Sequence, residues 1–209
     1  MSVGTWTRRT SVLFGVAACS LAACPAWAVQ PEQSYLGLAF GASEFPQMSE
    51  LTAAWPDTSL DTVEESDLAW KLYTGYQFSN WLAVETGWVD FGAARASALH
   101  AGGDRVSMKI STAGFEFSAL ATASIGDSLQ AFARGGVLAW KGVQKIEAGG
   151  SLAVEDFSGP DKSGVAAALG LGVHWDMGAR NSLRLEWQKY LDVAGGDPET
   201  WLLSVARRY

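Results

Sequence analysis

Cysteine is almost absent from this chain of 209 residues, and its only two cysteines, Cys19 and Cys24, lie near the start. A disulfide-rich scaffold is therefore excluded. Charged residues make up only 18% of the chain, and Lys and Arg (15) are outnumbered by Asp and Glu (22). The net charge of -7 argues against a nucleic-acid partner, because contacts to phosphates need a basic surface. With 48% hydrophobic residues, the chain is also too apolar to be disordered.

A long uncharged apolar segment occurs only at the start of the chain. Two arginines precede an apolar stretch over residues 11–23, and Ala26-Trp27-Ala28 then offers the small residues that a signal peptidase reads. This pattern predicts a signal peptide over residues 1–28, export by the Sec route and a mature barrel domain over residues 29–209. Each cysteine also ends a lipobox-like sequence, so that processing as a lipoprotein stays open as the alternative.

The rest of the chain alternates large apolar residues with small or polar ones. The alternation is clearest over residues 68–78, 169–175 and 183–187. A period of two is typical of a β-strand whose two faces meet different surroundings. The pattern predicts eight strands, over residues 34–43, 67–78, 81–92, 105–125, 129–142, 163–175, 182–191 and 200–209.

The predicted connections alternate between short turns and long polar loops. The turns are at 79–80, 126–128 and 176–181, and the loops are at 44–66, 93–104, 143–162 and 192–199. Strands of about ten residues cross a bilayer when tilted, and inside hydrocarbon they must close into a cylinder because every backbone amide needs a partner. The predicted fold is therefore an all-β, eight-stranded, antiparallel up-and-down transmembrane β-barrel.

The alternative is a soluble barrel with an apolar ligand cavity. In that case the small and polar face would meet water and would need many charges. This face is instead rich in Gly, Ala and Ser, which suits a narrow interior better than a wet exterior. The pattern therefore favours the membrane barrel.

The two faces of the predicted strands carry two sets of candidate functional residues. Aromatic residues on the apolar face are expected to lie at the membrane interfaces, where such rings partition well: Trp70, Tyr76, Phe78, Trp88, Trp175, Trp187, Trp201 and Tyr209. Charged and ionisable residues on the opposite face are expected to form an interior polar network: Lys71, Glu85, Glu116, Arg134, His174, Arg184 and Glu186. An eight-stranded cylinder is filled by its own side chains, and charges buried there must pair.

Signals for catalysis or metal binding are weak. Gly126-Asp127-Ser128-Leu129 spells an esterase signature, but it lies where a tight turn is expected, and the Asp-x-x-His that this esterase class needs downstream is absent. The chain has only two histidines, one in a predicted loop and one in a predicted strand, so they form no metal cluster. The sequence therefore predicts a protein without enzymatic activity, cofactor or metal.

Four segments resemble the OmpA-type outer-membrane β-barrel family. They are Tyr73-Thr74-Gly75-Tyr76-Gln77-Phe78, Ala83-Val84-Glu85-Thr86-Gly87-Trp88, the stretch 117–141 and Arg184-Leu185-Glu186-Trp187-Gln188. Their order and spacing extend the resemblance over nearly all of residues 34–209. The resemblance implies the outer membrane of a Gram-negative bacterium, contact with outer-membrane lipid, insertion by the barrel-assembly machinery and a monomeric state. A barrel-only member is expected, because no peptidoglycan-binding domain follows.

The resemblance also implies a function and an interior contact. Glu85 would pair with Arg184, with Glu186 and Arg134 nearby. The sequence departs from the family's network at two positions, which are Leu120 and His174, and this weakens any transfer of ion gating. The expected function is structural, in membrane integrity or in surface interaction through the loops, with a lumen filled by side chains. A small low-conductance pore and a lipid-modifying barrel enzyme remain the alternatives.

Overall fold

A computed structural model describes residues 33–45, 58–64, 66–100, 105–148, 157–158 and 162–209, so the predicted signal peptide lies outside the described residues. Within these ranges no helix is long and apolar enough to cross a membrane. The regular elements there are the strands β1 (Gln33–Glu44), β2 (Thr58–Glu64), β3 (Ser66–Gln77), β4 (Leu82–His100), β5 (Arg105–Ser124), β6 (Leu129–Ala148), β7 (Phe157–Ser158), β8 (Lys162–Asp176), β9 (Asn181–Leu191) and β10 (Glu199–Arg208).

Eight of these strands close into an antiparallel barrel. Around the barrel the order is β1, β3, β4, β5, β6, β8, β9 and β10, and β10 pairs with β1 to complete the circle. The two short strands lie outside this circle, β2 on β4 and β7 on β6. The structure therefore confirms the predicted eight-stranded up-and-down barrel.

The barrel has an apolar outer face and a packed interior. Leu171 is 58% exposed on the outer face, whereas Leu138 is fully buried inside. On β8 the outward residues from 165 to 175 are all apolar, namely Val165, Ala167, Leu169, Leu171, Val173 and Trp175. Ten residue steps along a strand tilted by about 40° span about 25 Å, which matches the apolar band of an outer-membrane barrel.

The ends of β4 and β6 correct the prediction from sequence. β4 was expected to end at residue 92 and β6 at residue 142, but they continue to His100 and Ala148, and β2 lies inside a predicted loop. The register shifts between Asp90 and Ala93, beside Gly92 with φ 72°, so the alternation is interrupted there. A bulge of this kind breaks the strict alternation of residues, so that the strand beyond it is not recognised in the sequence.

Apolar layers occupy the lumen near both ends. Near the long-loop end, the ring of Phe91 meets Tyr190 edge-on at 4.8 Å and Phe45 at 6.3 Å between ring centroids. The same cluster includes the buried Val89 and Leu138. Near the short-turn end, a smaller cluster consists of Ala83, Leu120 and Phe132. We call these clusters the loop-end layer and the turn-end layer.

Candidate functional site

Six charged side chains meet in the lumen between the two apolar layers. Five strands supply them, and each residue is at most 4% exposed: Lys71 on β3, Glu85 on β4, Glu116 on β5, Arg134 on β6, and Arg184 and Glu186 on β9. Strand geometry brings them together, because alternate residues of every strand point inward. Three cations face three carboxylates, so the group, here called the lumen network, is formally neutral.

Glu85 is bound by two arginines at once. Its Oε1 accepts hydrogen bonds from Arg184 at 2.6 Å and from the Tyr35 hydroxyl at 2.7 Å. Its Oε2 accepts one from Arg134 at 2.7 Å. The structure thus places Glu85 against Arg184, the contact that the resemblance implied, and adds a tyrosine that the sequence analysis did not single out.

Glu116 forms a second centre of the network. Its Oε2 accepts hydrogen bonds from Lys71 Nζ at 2.9 Å and from the Tyr190 hydroxyl at 3.0 Å. Its Oε1 accepts from the Ser118 hydroxyl and from Gln188 Nε2, the latter at 3.3 Å. Because Tyr190 also belongs to the loop-end layer, this carboxylate ties the network to the apolar cluster above it.

Arg134 connects all three carboxylates. Its two terminal nitrogens lie 2.7 Å from Glu85, 3.2 Å from Glu116 and 2.9 Å from Glu186. Arg184 faces the turn-end layer, with its guanidinium 4.9 Å from the centroid of the Phe132 ring. Charge-assisted hydrogen bonds of this kind are about twice as strong as neutral ones. They offset the desolvation of the six buried charged groups.

Two tyrosine rings fill the lumen beside the network, and glycines make room for them. The Tyr73 ring lies over Gly37, where a Cβ would come within 2.2 Å of it, and the Tyr35 ring lies over Gly75 in the same way, at 2.3 Å. The Tyr73 hydroxyl hydrogen-bonds Ser204 at 2.9 Å. Any side chain at either glycine would displace a ring, so the small residues on the inner face allow the aromatic filling.

The sequence analysis did not identify the neutral partners of the lumen network, because it considered only charged and ionisable residues. The neutral partners are Tyr35, Tyr73, Ser118, Gln188 and Tyr190. Each lies an even number of residues from a charged member on its own strand, except Tyr35, whose strand has no charged member in the network. The same alternation would therefore have identified most of them.

His174 does not join the lumen network, contrary to the sequence prediction. It faces inward at the turn end of β8, and its Nε2 lies 2.9 Å from Asp176 Oδ1 and 2.9 Å from a terminal nitrogen of Arg208. Arg208 also binds Asp176 directly. Asp176 lies two residues from His174 on the same face, so a nearby carboxylate holds the imidazole at the mouth of the lumen.

The eight predicted interface aromatics lie at two levels of the outer face. Four are close to the short turns: Tyr76, Phe78, Trp175 and Tyr209. The other four are closer to the loop end: Trp70, Trp88, Trp187 and Trp201. Phe78, Trp88, Trp175, Trp201 and Tyr209 are 45–75% exposed, and the remaining three are partly buried. Trp187 also donates its indole N–H to Glu199 at 3.1 Å.

The esterase-like tetrapeptide forms a turn. Asp127 and Ser128 are exposed between β5 and β6, and the Gly126 N–H donates to the Leu129 carbonyl at 3.2 Å. Among the residues that the structure describes, no group of three or more His, Cys, Asp or Glu could hold a metal ion. The chemistry of the described lumen is therefore that of paired charges.

These features define a class of protein, a β-barrel that crosses a membrane with eight strands. The model of the OmpA-like transmembrane domain matches residues 29–201, and the chain belongs to this family. It is accordingly a protein of the Gram-negative outer membrane. A comparison with curated proteins finds no significant sequence match.

Solved outer-membrane barrels share the fold at low sequence identity. One is Ail, the attachment invasion locus protein of Yersinia pestis, solved in complex with the heparin analogue sucrose octasulfate. Its sequence identity is 14% and its TM-score is 0.52, over 86% of this chain and 99% of the Ail chain. Another is OprG from Pseudomonas aeruginosa, with 10% identity and a TM-score of 0.50 over 86% and 97%. These similarities support the fold and leave the function to the residues of this chain.

Proposed function

We propose that this protein is a non-enzymatic structural barrel of the outer membrane, closed to ions by its own side chains. The observation that carries the proposal is the sequence of layers along the lumen. An ion entering from the loop end would meet the loop-end layer first, then the lumen network and then the turn-end layer. An apolar outer face around a filled interior supports a function in membrane integrity.

The packing of the lumen supports this closure. Phe91 and Leu138 in the loop-end layer are fully buried. The cavity beside the turn-end layer, which Leu120, Phe132 and Arg184 help to line, has a volume of only about 20 Å³. A space of that size holds about one water molecule, which is too little for a hydrated ion to pass.

The charge balance of the network supports the same function. Selective pores present rings of unpaired charge or open carbonyls to the passing ion. Here each carboxylate already has at least one cationic partner within 2.9 Å, so a permeating ion would have to displace a bonded one. The network thus favours a structural core over a low-conductance pore.

Planar-bilayer recording tests this proposal. We expect the wild-type protein to produce no discrete current steps, whereas Leu138→Ser in the loop-end layer admits water and produces small ones. The matched control is Val137→Ser on the neighbouring residue, which is 51% exposed on the outer face and should stay silent. Uniform, voltage-stable steps from the wild-type protein would establish the pore instead.

A further inference from the structure

The basic residues at the short-turn end are confined to one sector of the rim. Arg180 lies in the turn between β8 and β9, and Arg207 and Arg208 lie beside it at the end of β10. The other two short turns, residues 78–81 and 125–128, contain no Lys or Arg. The chain as a whole has a net charge of -7, so this sector of the rim differs in sign from the rest of the protein.

These arginines border a groove of about 440 Å³. It is lined by Gln33, Ala179, Arg180, Arg207, Arg208 and Tyr209. Backbone hydrogen bonds hold its walls, from the Arg208 N–H to the Arg180 carbonyl at 2.8 Å and from the Tyr209 N–H to the Ser34 carbonyl at 3.1 Å. These hydrogen bonds fix the backbone on which the side chains of the groove are placed.

Two of the three guanidinium groups are available to a ligand. Arg208 is used by Asp176 and His174, and its side chain is only 13% exposed. Arg180 is exposed in its turn and Arg207 is exposed on β10, and within the described part of the chain no carboxylate forms an ion pair with either. An arginine pairs readily with a phosphate, because its planar fork of N–H donors matches two phosphate oxygens.

An apolar strip leads from the groove along the lipid-facing side. Arg207 shares its face of β10 with Val205 and Leu203, which are 54% and 52% exposed, and its partner on β1 is Leu36, which is 49% exposed. Short turns of outer-membrane barrels lie on the periplasmic side. The arginines thus lie at the height of the inner-leaflet headgroups, directly below a surface that contacts acyl chains.

We propose that Arg180 and Arg207 bind the phosphate of an anionic phospholipid in the periplasmic leaflet, with its acyl chains lying along Leu36, Leu203 and Val205. This site goes beyond the proposed structural function and depends only on the membrane orientation of the barrel. It assigns one sector of the rim to a specific lipid contact. A soluble phosphate would meet the same guanidinium groups but would gain nothing from the apolar strip.

Native mass spectrometry of the purified protein in detergent, with phosphatidylglycerol or phosphatidylcholine added, tests the site. We expect the wild-type protein to retain phosphatidylglycerol preferentially, and Arg180→Gln with Arg207→Gln to weaken this retention by about thirtyfold. The control is Lys109→Gln with Lys145→Gln, an equal loss of charge at exposed positions near the loop end of β5 and β6, which should leave retention unchanged. Heat-modifiable migration on gels verifies that each variant is folded.

Two results would overturn the proposal. One is equal retention of phosphatidylglycerol by the wild-type protein and the folded arginine variant. The other is displacement of the lipid by millimolar inorganic phosphate, since that would make the groove a site for soluble phosphate. Neither result depends on conductance, so the lipid site and the closed lumen are tested separately.

Discussion

Replacing Glu85 with alanine is expected to lower the free energy of unfolding by about 3–5 kcal/mol, the usual effect of removing one partner from a buried ion pair. Glu85 binds Arg184 through one oxygen and Arg134 through the other. Its loss leaves two buried guanidinium groups short of a counter-charge. Urea unfolding of the barrel in detergent micelles, followed by tryptophan fluorescence, measures the change.

The matched control for this prediction is Glu199→Ala. Glu199 also forms an ion pair, with Lys189 at 2.9 Å, but the two side chains are about one third exposed. Exposed pairs contribute at most about 1 kcal/mol, because water screens them and solvates either partner alone. Equal unfolding midpoints for the two variants would contradict the view that the lumen network holds the barrel together.

Placing an arginine on the outer face at Leu171 is expected to destabilise the barrel by about 2–4 kcal/mol. Leu171 is 58% exposed near the middle of the apolar band on β8. A charge there must be desolvated by acyl chains or must draw water into the bilayer. Reversible unfolding from lipid vesicles, with the wild-type protein as reference, gives the difference.

The expected destabilisation depends on depth in the membrane, which supplies an internal control. Leu191 lies on the outer face at the loop end of β9 and is 37% exposed. Leu191→Arg should reduce stability by no more than about 1 kcal/mol, because the side chain reaches the interface. If the two arginine variants lost the same stability, the outer face would not be in contact with a hydrocarbon core.

The alternation of residue types predicted the part of the fold that lies in the membrane. All eight barrel strands were located, and β5 and β9 agree with the structure to within one residue at each end. The extension of β4 was missed, because the bulge at residues 90–93 shifts the phase of the alternation. The extension of β6 was missed because residues 143–148, with Gln144, Lys145 and Glu147, lack a clear apolar face. β2 was missed because it lies in an acidic loop whose composition is typical of a solvated surface.

The sequence predicted which charged residues lie in the lumen better than it predicted which of them bind each other. The alternation along each strand identifies Lys71, Glu116 and Arg134 as inward residues. It does not show how high along the barrel each residue lies, or towards which neighbour its side chain extends. For this reason the alternation could not show that His174 lies outside the lumen network. His174 is opposite Arg184 in the β8–β9 pairing, yet its side chain bonds to Asp176. It also could not show that Arg134 reaches all three glutamates, since that depends on the stagger of strands distant in sequence.

Large apolar side chains of the barrel face the acyl chains, whereas the small, polar and ionic ones fill the lumen. Methyl-labelled leucine in lipid nanodiscs tests this orientation without any substitution, through NMR cross-relaxation between leucine methyls and lipid methylenes. We expect transfer from lipid to the outward Leu171, Leu185 and Leu203, and none to the buried Leu120, Leu138 and Leu202. Strong transfer to the buried leucines, or no transfer to the outward ones, would contradict this orientation of the side chains.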